Sequence, residues 1–453
     1  MAQAKKLVVG KAGGTTVGLP PGTVVIPEEL KHVVVIIQEN RSFDQYFGFY
    51  PGVRGLGDPS DVGVFEQRWP ASPKPAKHLY PFEMDPSKSP GAIGHSWYDL
   101  HDAWNGGKLD RWLYEHPSTT TPVPTPFATM GYYLPTSLPY HTALAANFTI
   151  CDHYFSGVLS STASNRAMLM SGSIDPEGKH GGPLTGDPGG APDGKTRKYG
   201  WTSYPDQLHS AKIPVSFAVY EEDPSDQPGT NPWTMNLAAY FKSWPKMLNE
   251  TPSISRTGAT AFEDDAKSGN LPEVSWLIPP YHSSEHPDYL PVTGAYWLSR
   301  KIGAVLSNPE RWNDTAILLT YDECGGCFDH VAPPAPPKNT PGEWIKSKTY
   351  TGNYASAGPG FRVPCLLISK WSTGGRVISN NYDHTSLLRC LGSMTGITPA
   401  NISAWRMKTF GNLIDAFDFA HPSATPPTLP TPPDIGGNAP LPKFPQKFPP
   451  DNI

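Results

Sequence analysis

Several stretches of this chain bring together groups able to do acid, base, nucleophilic or metal-binding chemistry. QENRSFDQYFG, residues 38–48, presents Glu39, Asn40, Arg41 and Asp44 directly after the apolar run VVVII. YDECGGCFDHV, 321–331, presents Asp322 and Glu323, with Asp329 and His330 a few residues on. Hard oxygen donors beside a glycine turn suit a divalent cation. SSTASNRAMLMSGS, 160–173, opens on hydroxyls and continues into helix formers. A hydroxyl there can simply cap the free helix amides, but the same place welcomes a phosphate, and a metal-coordinated Thr162 could act as its nucleophile. Asn165 and Arg166 supply donors nearby, although Arg166 could instead pair with a structural acid. His95 and His101 lie in GHSWYDLHDAWNGGKLD, His282 and His286 in PPYHSSEHPDYLP, and His384 in NNYDHTSLLR. Taken singly, each is more simply a packing residue. Their arrival on Pro- and Gly-rich loops fits convergence on one polar pocket, where histidine can protonate an alkoxide leaving group or ligate a metal.

These groups need a scaffold, and the apolar runs supply one. HVVVIIQEN, IPVSFAVY (213–220), VSWLI (274–278), TAILLTY (315–321) and PCLLISK (364–370) are short, continuously apolar and widely spaced. That pattern predicts a three-layer α/β/α sandwich around a mostly parallel, doubly covered sheet. Acids follow three of the runs at once: Glu39; Glu221, Glu222 and Asp223; Asp322 and Glu323. Ligands of open α/β sheets sit beyond the carboxyl ends of the strands, so the recurrence predicts one active edge. Helices are expected over 294–306, from about Ser386, over LIDAFDFA (413–420), over YPDQLHSA (204–211), and in NLAAYFKSW (236–244). Residues 1–30 read as a lead-in, 31–421 as one catalytic domain with loop-rich cap insertions at about 50–150 and 221–270, and 422–453 as an extended Pro-rich tail. No internal repeat is evident.

With 53 Pro and 43 Gly, the chain has the composition of a compact scaffold carrying rigid, irregular loops. A net charge of -5 gives no global reason to bind nucleic acid, and no required protein partner is implied. Five cysteines are too few for a disulfide-built fold. The Cys324–Cys327 spacing leaves a zinc thiolate, a local disulfide or two buried thiols open, although no second CxxC exists to complete a zinc site. The N-terminal segment lacks the apolar core of a secretory signal, and no run has the length of a membrane span. The chain has no HExxH, no GxxxxGK[ST] and no GxSxG, which removes support for zincin, P-loop and ordinary α/β-hydrolase chemistry.

Taken in order, HVVVIIQENRSFDQYFG, HSWYDLHDAWNGGKLD, NRAMLMSGS, EHP, YDECGGCFDHVAPP and YDHTSLLR resemble the bacterial phosphoesterase family of non-specific phospholipases C and AcpA-type acid phosphatases. The match runs from about His32 to Arg389. The resemblance implies an alkaline phosphatase-like fold and one divalent metal ion (Zn, Ca, Fe or Mn) held by Glu39, Asn40, Thr162, Asp322 and Glu323. It implies Thr162 as a nucleophile that becomes phosphothreonine, with His95, His286 and His330 in catalytic roles. Asn165, Arg166, Trp97 and His282 are the expected substrate contacts. Many relatives read GPTxPNR where this chain has SSTASNR, which leaves Ser160 or Ser161 as competitors to Thr162. Others have an ENDGF-like turn in place of ECGGCF. The expected reaction is phospholipase C cleavage of a phosphodiester such as that of phosphatidylcholine, with transient membrane-surface contact. Aromatic loops containing Trp97, Tyr98, Trp104, Tyr132 and Tyr133 would meet headgroup or acyl chains, or else pack the cap. Phosphomonoester hydrolysis is the alternative within the family, and a non-catalytic phosphoester- or lipid-binding protein the alternative outside it. A secreted or periplasmic location follows from the resemblance.

Overall fold

The computed structural model describes residues 10–11, 24–58, 62–68, 78–114, 126–193, 198–223 and 235–436. Eight strands form the main sheet: β1 His32–Gln38, β2 Thr149–Cys151, β3 Phe217–Glu221, β4 Ser255–Thr257, β5 Val274–Ile278, β6 Thr315–Tyr321, β7 Cys365–Ile368 and β8 Val377–Ile378. Their spatial order is β4-β3-β5-β1-β6-β7-β2-β8. Only β7 runs against the rest, pairing antiparallel with both β6 and β2. The expected mostly parallel sheet is therefore present, and all five apolar runs contribute a strand to it.

The two central strands show why their sequences read as unbroken apolar runs. Val33 to Ile37 of β1 and Ala316 to Leu319 of β6 are almost wholly shielded from solvent. Shielding on both faces removes the alternation that a half-exposed strand would show. The principal helices are α1 Phe43–Phe47, α2 Trp97–Trp104, α3 Pro139–Asn147, α4 Thr162–Ser171, α5 Tyr204–His209, α6 Trp244–Glu250, α7 Ala261–Ser268, α8 Pro291–Leu306, α9 Pro309–Asp314 and α10 His384–Thr395. They pack in two groups that flank the sheet: α4 with α10 and α5, and α5 with α6; α8 with α3, α7 and α9. Ile36 has no exposed surface. Ile36→Ala should lower unfolding free energy by about 2–5 kcal/mol, measured as a shifted denaturant midpoint at unchanged slope.

Several boundaries differ from the sequence reading. The stretch expected to be a cap through residue 150 ends in α3 and β2, which belong to the main body. The 221–270 insertion likewise contributes edge strand β4. Three-residue strands carry too little pattern to announce themselves. LIDAFDFA forms one 3-10 turn, Leu413–Ala416, capped by Asn412. NLAAYFKSW forms another, Leu237–Tyr240, before α6 begins at Trp244. Of the Pro-rich tail, 422–436 is extended chain, and its residues 430–435 roof an apolar cavity of about 470 Å³ against the first turns of α3 and α8. The rest of the tail, 437–453, lies outside the described residues. Among the described residues, no helix is long and apolar enough to cross a membrane.

Candidate active site

Register assembles the site. β1 and β6 pair in parallel with Gln38 opposite Tyr321, so the next residues, Glu39 and Asn40 on one strand and Asp322 and Glu323 on the other, leave the sheet side by side. Asn40 turns at once into the left-handed region, φ 58°, which asparagine tolerates better than most residues. Its backbone N–H donates to Asp322 Oδ1 at 3.2 Å, and its side chain points outward between two partners. Asn40 Oδ1 accepts from Thr162 Oγ at 3.3 Å, and Asn40 Nδ2 lies 3.3 Å from His95 Nε2. His95 Nδ1 donates to Ile93 O at 2.5 Å, which leaves Nε2 as the nitrogen facing the site.

The opposing turn is built to accept Asn40. Gly325 has φ +64°, and a Cβ there would lie 2.4 Å from Asn40 O. Its N–H donates to Glu323 Oε2 at 2.6 Å, fixing that carboxylate. Gly325→Ala should therefore cost about 1–3 kcal/mol from the disfavoured backbone alone and lower turnover by displacing Asn40, both measurable on the purified variant. The flanking Cys324 and Cys327 are free, buried thiols. Burial pushes Cys327 up to about 12 and Cys324 well above its usual range. Of the three readings of this pair, the structure shows two buried thiols with no bond between them.

Thr162 is the first residue of α4 and is buried. The competing hydroxyls are engaged elsewhere: Ser160 Oγ donates to Thr185 O, and Ser161 Oγ to Asp187 Oδ1. Asp187 also accepts from Ala163 N–H at 2.9 Å, capping the helix from a separate loop. Asn165 is spent on the loop before Thr162, accepting from Val158 N–H and donating to Ser160 O and Ser161 O. Arg166 lies one turn after Thr162 on the same helical face. It donates from Nε to Asp322 Oδ2 at 2.9 Å and from Nη2 to Glu39 Oε1 at 3.1 Å. Thus Asn165 and Arg166, expected to touch substrate, have these donors committed to the scaffold of the site.

The electrostatics are those of crowded acid. Glu39, Asp322 and Glu323 are buried, and the first two share the Arg166 guanidinium. Burial pushes Glu39 up to about 8 in spite of Arg166. Asp322 is raised by the same cause, and Glu323 is driven well above the carboxylate range by burial and by Asp322. Glu323 Oε1 has no hydrogen-bond partner among the described residues, and His95 Nε2 lies 3.8 Å from it. An orphaned buried oxygen among buried acids is chemistry that suits a divalent cation.

The remaining histidines separate. His286 belongs to the site's rim, its ring 6.1 Å from that of His95. His384 supports Asp322 from behind, Nε2 donating to its backbone O at 2.6 Å, and burial lowers its pKa to about 4 so that it stays neutral. His101 bonds through both ring nitrogens to the backbone oxygens of Trp97 and Ser356. His282 lines a different cleft with Glu222, Trp297 and Arg300. Trp97 is buried in the cap, donating to Tyr354 O. His330 is joined to Asp44 by its backbone N–H at 2.7 Å and by Nδ1 at 2.5 Å. With Asp329 these two place ligand atoms within 4.8 Å of one another, a small buried acid and histidine cluster able to coordinate a metal. Arg362 reaches both of its carboxylates, Asp44 at 2.8 Å and Asp329 at 2.9 Å. Burial would raise Asp44, but Arg362 and His330 more than offset it and hold the group below its usual range.

A hydroxyl at a helix start thus lies beside an amide, with a histidine and buried acids near it at the carboxyl edge of a mostly parallel sheet. The Phosphoesterase family model matches residues 30–398, and the chain belongs to that family and is a hydrolase. It is 35% identical over 473 residues to phospholipase C B of Mycobacterium tuberculosis (strain ATCC 25618 / H37Rv), covering 98% of this chain and 86% of that protein. Phospholipase C A of the same strain is 36% identical over 463 residues, with the same coverage of both chains. The non-hemolytic phospholipase C of Pseudomonas aeruginosa is 36% identical over 425 residues, covering 89% of this chain and 59% of that protein. A solved alkaline phosphatase superfamily protein from Vibrio parahaemolyticus superposes distantly, with a TM-score of 0.35 at 11% identity over 82% of this chain and 68% of the other.

Proposed function

We propose that this protein is a phospholipase C that hydrolyses the glycerol-side phosphodiester of phospholipids through a phosphothreonine intermediate on Thr162. The observation carrying the reading is the convergence of Thr162 Oγ on Asn40, beside His95, Glu39, Asp322 and Glu323. The substrate class rests on the relatives called phospholipase C. Thr162 Oγ, its proton passed to solvent water, forms a bond to phosphorus as the bond to the glycerol oxygen breaks, and takes a proton back from water when it later departs. His286 gives that oxygen its proton, with His95 beside it holding Asn40. Water then attacks phosphorus, its proton passes to His286, and Thr162 departs. When bound, a divalent cation at Glu39, Asn40, Thr162, Asp322 and Glu323 supplies positive charge for the phosphoryl oxygens and lowers the proton affinity of the Thr162 hydroxyl. Arg166 keeps Glu39 and Asp322 aligned, while Asp44, Asp329, His330 and Arg362 brace the two strand-end turns. The work is done outside the cytoplasm, at a membrane surface touched transiently.

Rates on phosphatidylcholine, sphingomyelin and soluble phosphomonoesters, measured side by side, test the reading. A choline phospholipid should be the best substrate. A dominant monoester rate would make the protein a phosphatase instead, and hydrolysis of none of them would leave it a phosphoester- or lipid-binding protein.

A further inference from the structure

The turn after β5 contains an acid to which the proposed chemistry gives no part. Asp288 stands two residues beyond His286, and its carboxylate is divided between two tasks. Asp288 Oδ2 lies 3.1 Å from His286 Nδ1 and accepts from Tyr281 O–H at 3.1 Å. Asp288 Oδ1 accepts from Ala92 N–H at 3.1 Å. Ala92 is three residues before His95, and the same loop is fastened a second time where Ser89 Oγ donates to Pro287 O at 2.5 Å. Tyr281 O–H also lies 3.0 Å from His286 Nδ1, and the Asp288 backbone N–H is 3.4 Å from the same nitrogen. Every contact on the His286 ring from its own turn thus falls on Nδ1, and the two histidine rings stand 6.1 Å apart.

We propose that Asp288 is a positioning residue for the hydrolysis, holding His286 with Nδ1 toward its own carboxylate and Nε2 free for the substrate, and tying the His95 loop to the same turn. A carboxylate at one imidazole nitrogen fixes the tautomer and ring plane and makes the other nitrogen the one that exchanges protons with a reacting group. The second tie gives one side chain control of two histidines that arrive from segments almost two hundred positions apart in sequence. Among the described residues, Asp288 on its own turn, His95 on the 89–96 loop and Arg41 on the turn after β1 act on His286, Tyr281 touches its Nδ1, and Glu39 faces the same turn through Tyr281. Against partial desolvation of a side chain that keeps some exposure, hydrogen bonding and charge from His286 hold Asp288 at about 2. This inference rests on the phospholipase reading for its consequences in catalysis, but its geometric content does not.

Two measurements test it. The first uses Asp288→Asn and Asp288→Glu with two diesters: dihexanoylphosphatidylcholine, whose alcohol needs a proton to leave, and p-nitrophenylphosphorylcholine, whose phenol does not. Asp288→Asn should lower kcat on the phospholipid by about 10- to 100-fold while the nitrophenyl ester stays within about threefold, and Asp288→Glu should recover part of the loss. In the background of His286→Gln, Asp288→Asn should add little. Equal losses on both esters, no loss on either, or full additivity with His286→Gln would overturn the proposal. The second is nitrogen NMR of 15N-histidine-labelled protein, the His286 signals being those missing from His286→Gln. Neutral His286 should carry its proton on Nδ1 in the parent and lose that preference in Asp288→Asn; a proton on Nε2 in the parent overturns the proposal. Should the parent hydrolyse neither ester, the functional reading fails, and the NMR result still decides whether Asp288 sets the ring.

Discussion

Thr162→Ala should lower turnover of a choline phospholipid by about 10⁴- to 10⁶-fold while leaving the fold intact, as loss of a nucleophile does in enzymes that work through a covalent intermediate. Among the described residues the hydroxyl makes one hydrogen bond, to Asn40 Oδ1 at 3.3 Å, and the helix it opens is capped independently by Asp187 at Ala163 N–H. Removal of the oxygen therefore takes away the reacting atom without removing the cap. Thr162→Ser keeps an oxygen in place and should retain measurable turnover, whereas Ser160→Ala and Ser161→Ala should stay near the parent rate. Acid quenching during turnover should yield a phosphorylated peptide containing residue 162 in the parent and none in Thr162→Ala. A folded, cation-loaded Thr162→Ala protein that cleaves diesters at the parent rate would remove Thr162 from the mechanism.

How much of this was legible in the sequence depends on the range over which each contact acts. VVVII and TAILLTY announced buried central strands because burial on both faces writes itself into consecutive residues. The acids following them announced an edge, since charge directly after such a run can only lie beyond the sheet. The pairing of Gln38 with Tyr321 left no trace in either segment, yet that register is what sets Asn40 against Asp322. Arg166 shows a signal that was present and could have been read differently. Its place four residues after Thr162 puts both on one helical face, and a buried arginine facing acids is more economically their counter-ion than a substrate contact. His330 and Asp44 could not be paired from sequence, because 286 residues separate them. The short strands β2, β4 and β8, the last two at the sheet's edges, were missed because two or three residues hold no period. The 3-10 turn at Leu413 was read as a helix because apolar spacing over so short a stretch does not distinguish one turn from two.

The second large effect joins cation binding to stability and pH. Glu39, Asp322 and Glu323 sit buried with raised proton affinities, Glu39 at about 8. In protein stripped of cations by a chelator, the folded state holds these protons more tightly than the unfolded chain, where a glutamate titrates near 4.5. Stability from Glu39 is therefore fully present below about pH 4.5 and is lost as pH rises through about 8, and Asp322 and Glu323 act in the same direction. A divalent cation competes with those protons, so its stabilisation should grow as pH rises across the same window. At a free concentration a hundred times its dissociation constant it contributes about 2.7 kcal/mol. For a chain of this length, at about 2.1 cal/mol/K per residue, that is a rise in Tm of about 3 °C. Asp322→Asn and Glu323→Gln remove donors and buried charge together. Each should raise the stability of the chelated protein at pH 8, abolish most of the cation's effect on Tm, and cost turnover. Differential scanning calorimetry at pH 5 and pH 8, with and without calcium, manganese and zinc in turn, would check all three. A cation-induced rise that survives intact in both variants would move the binding site away from the strand-end acids, with the Asp44, Asp329 and His330 cluster as the next place to look.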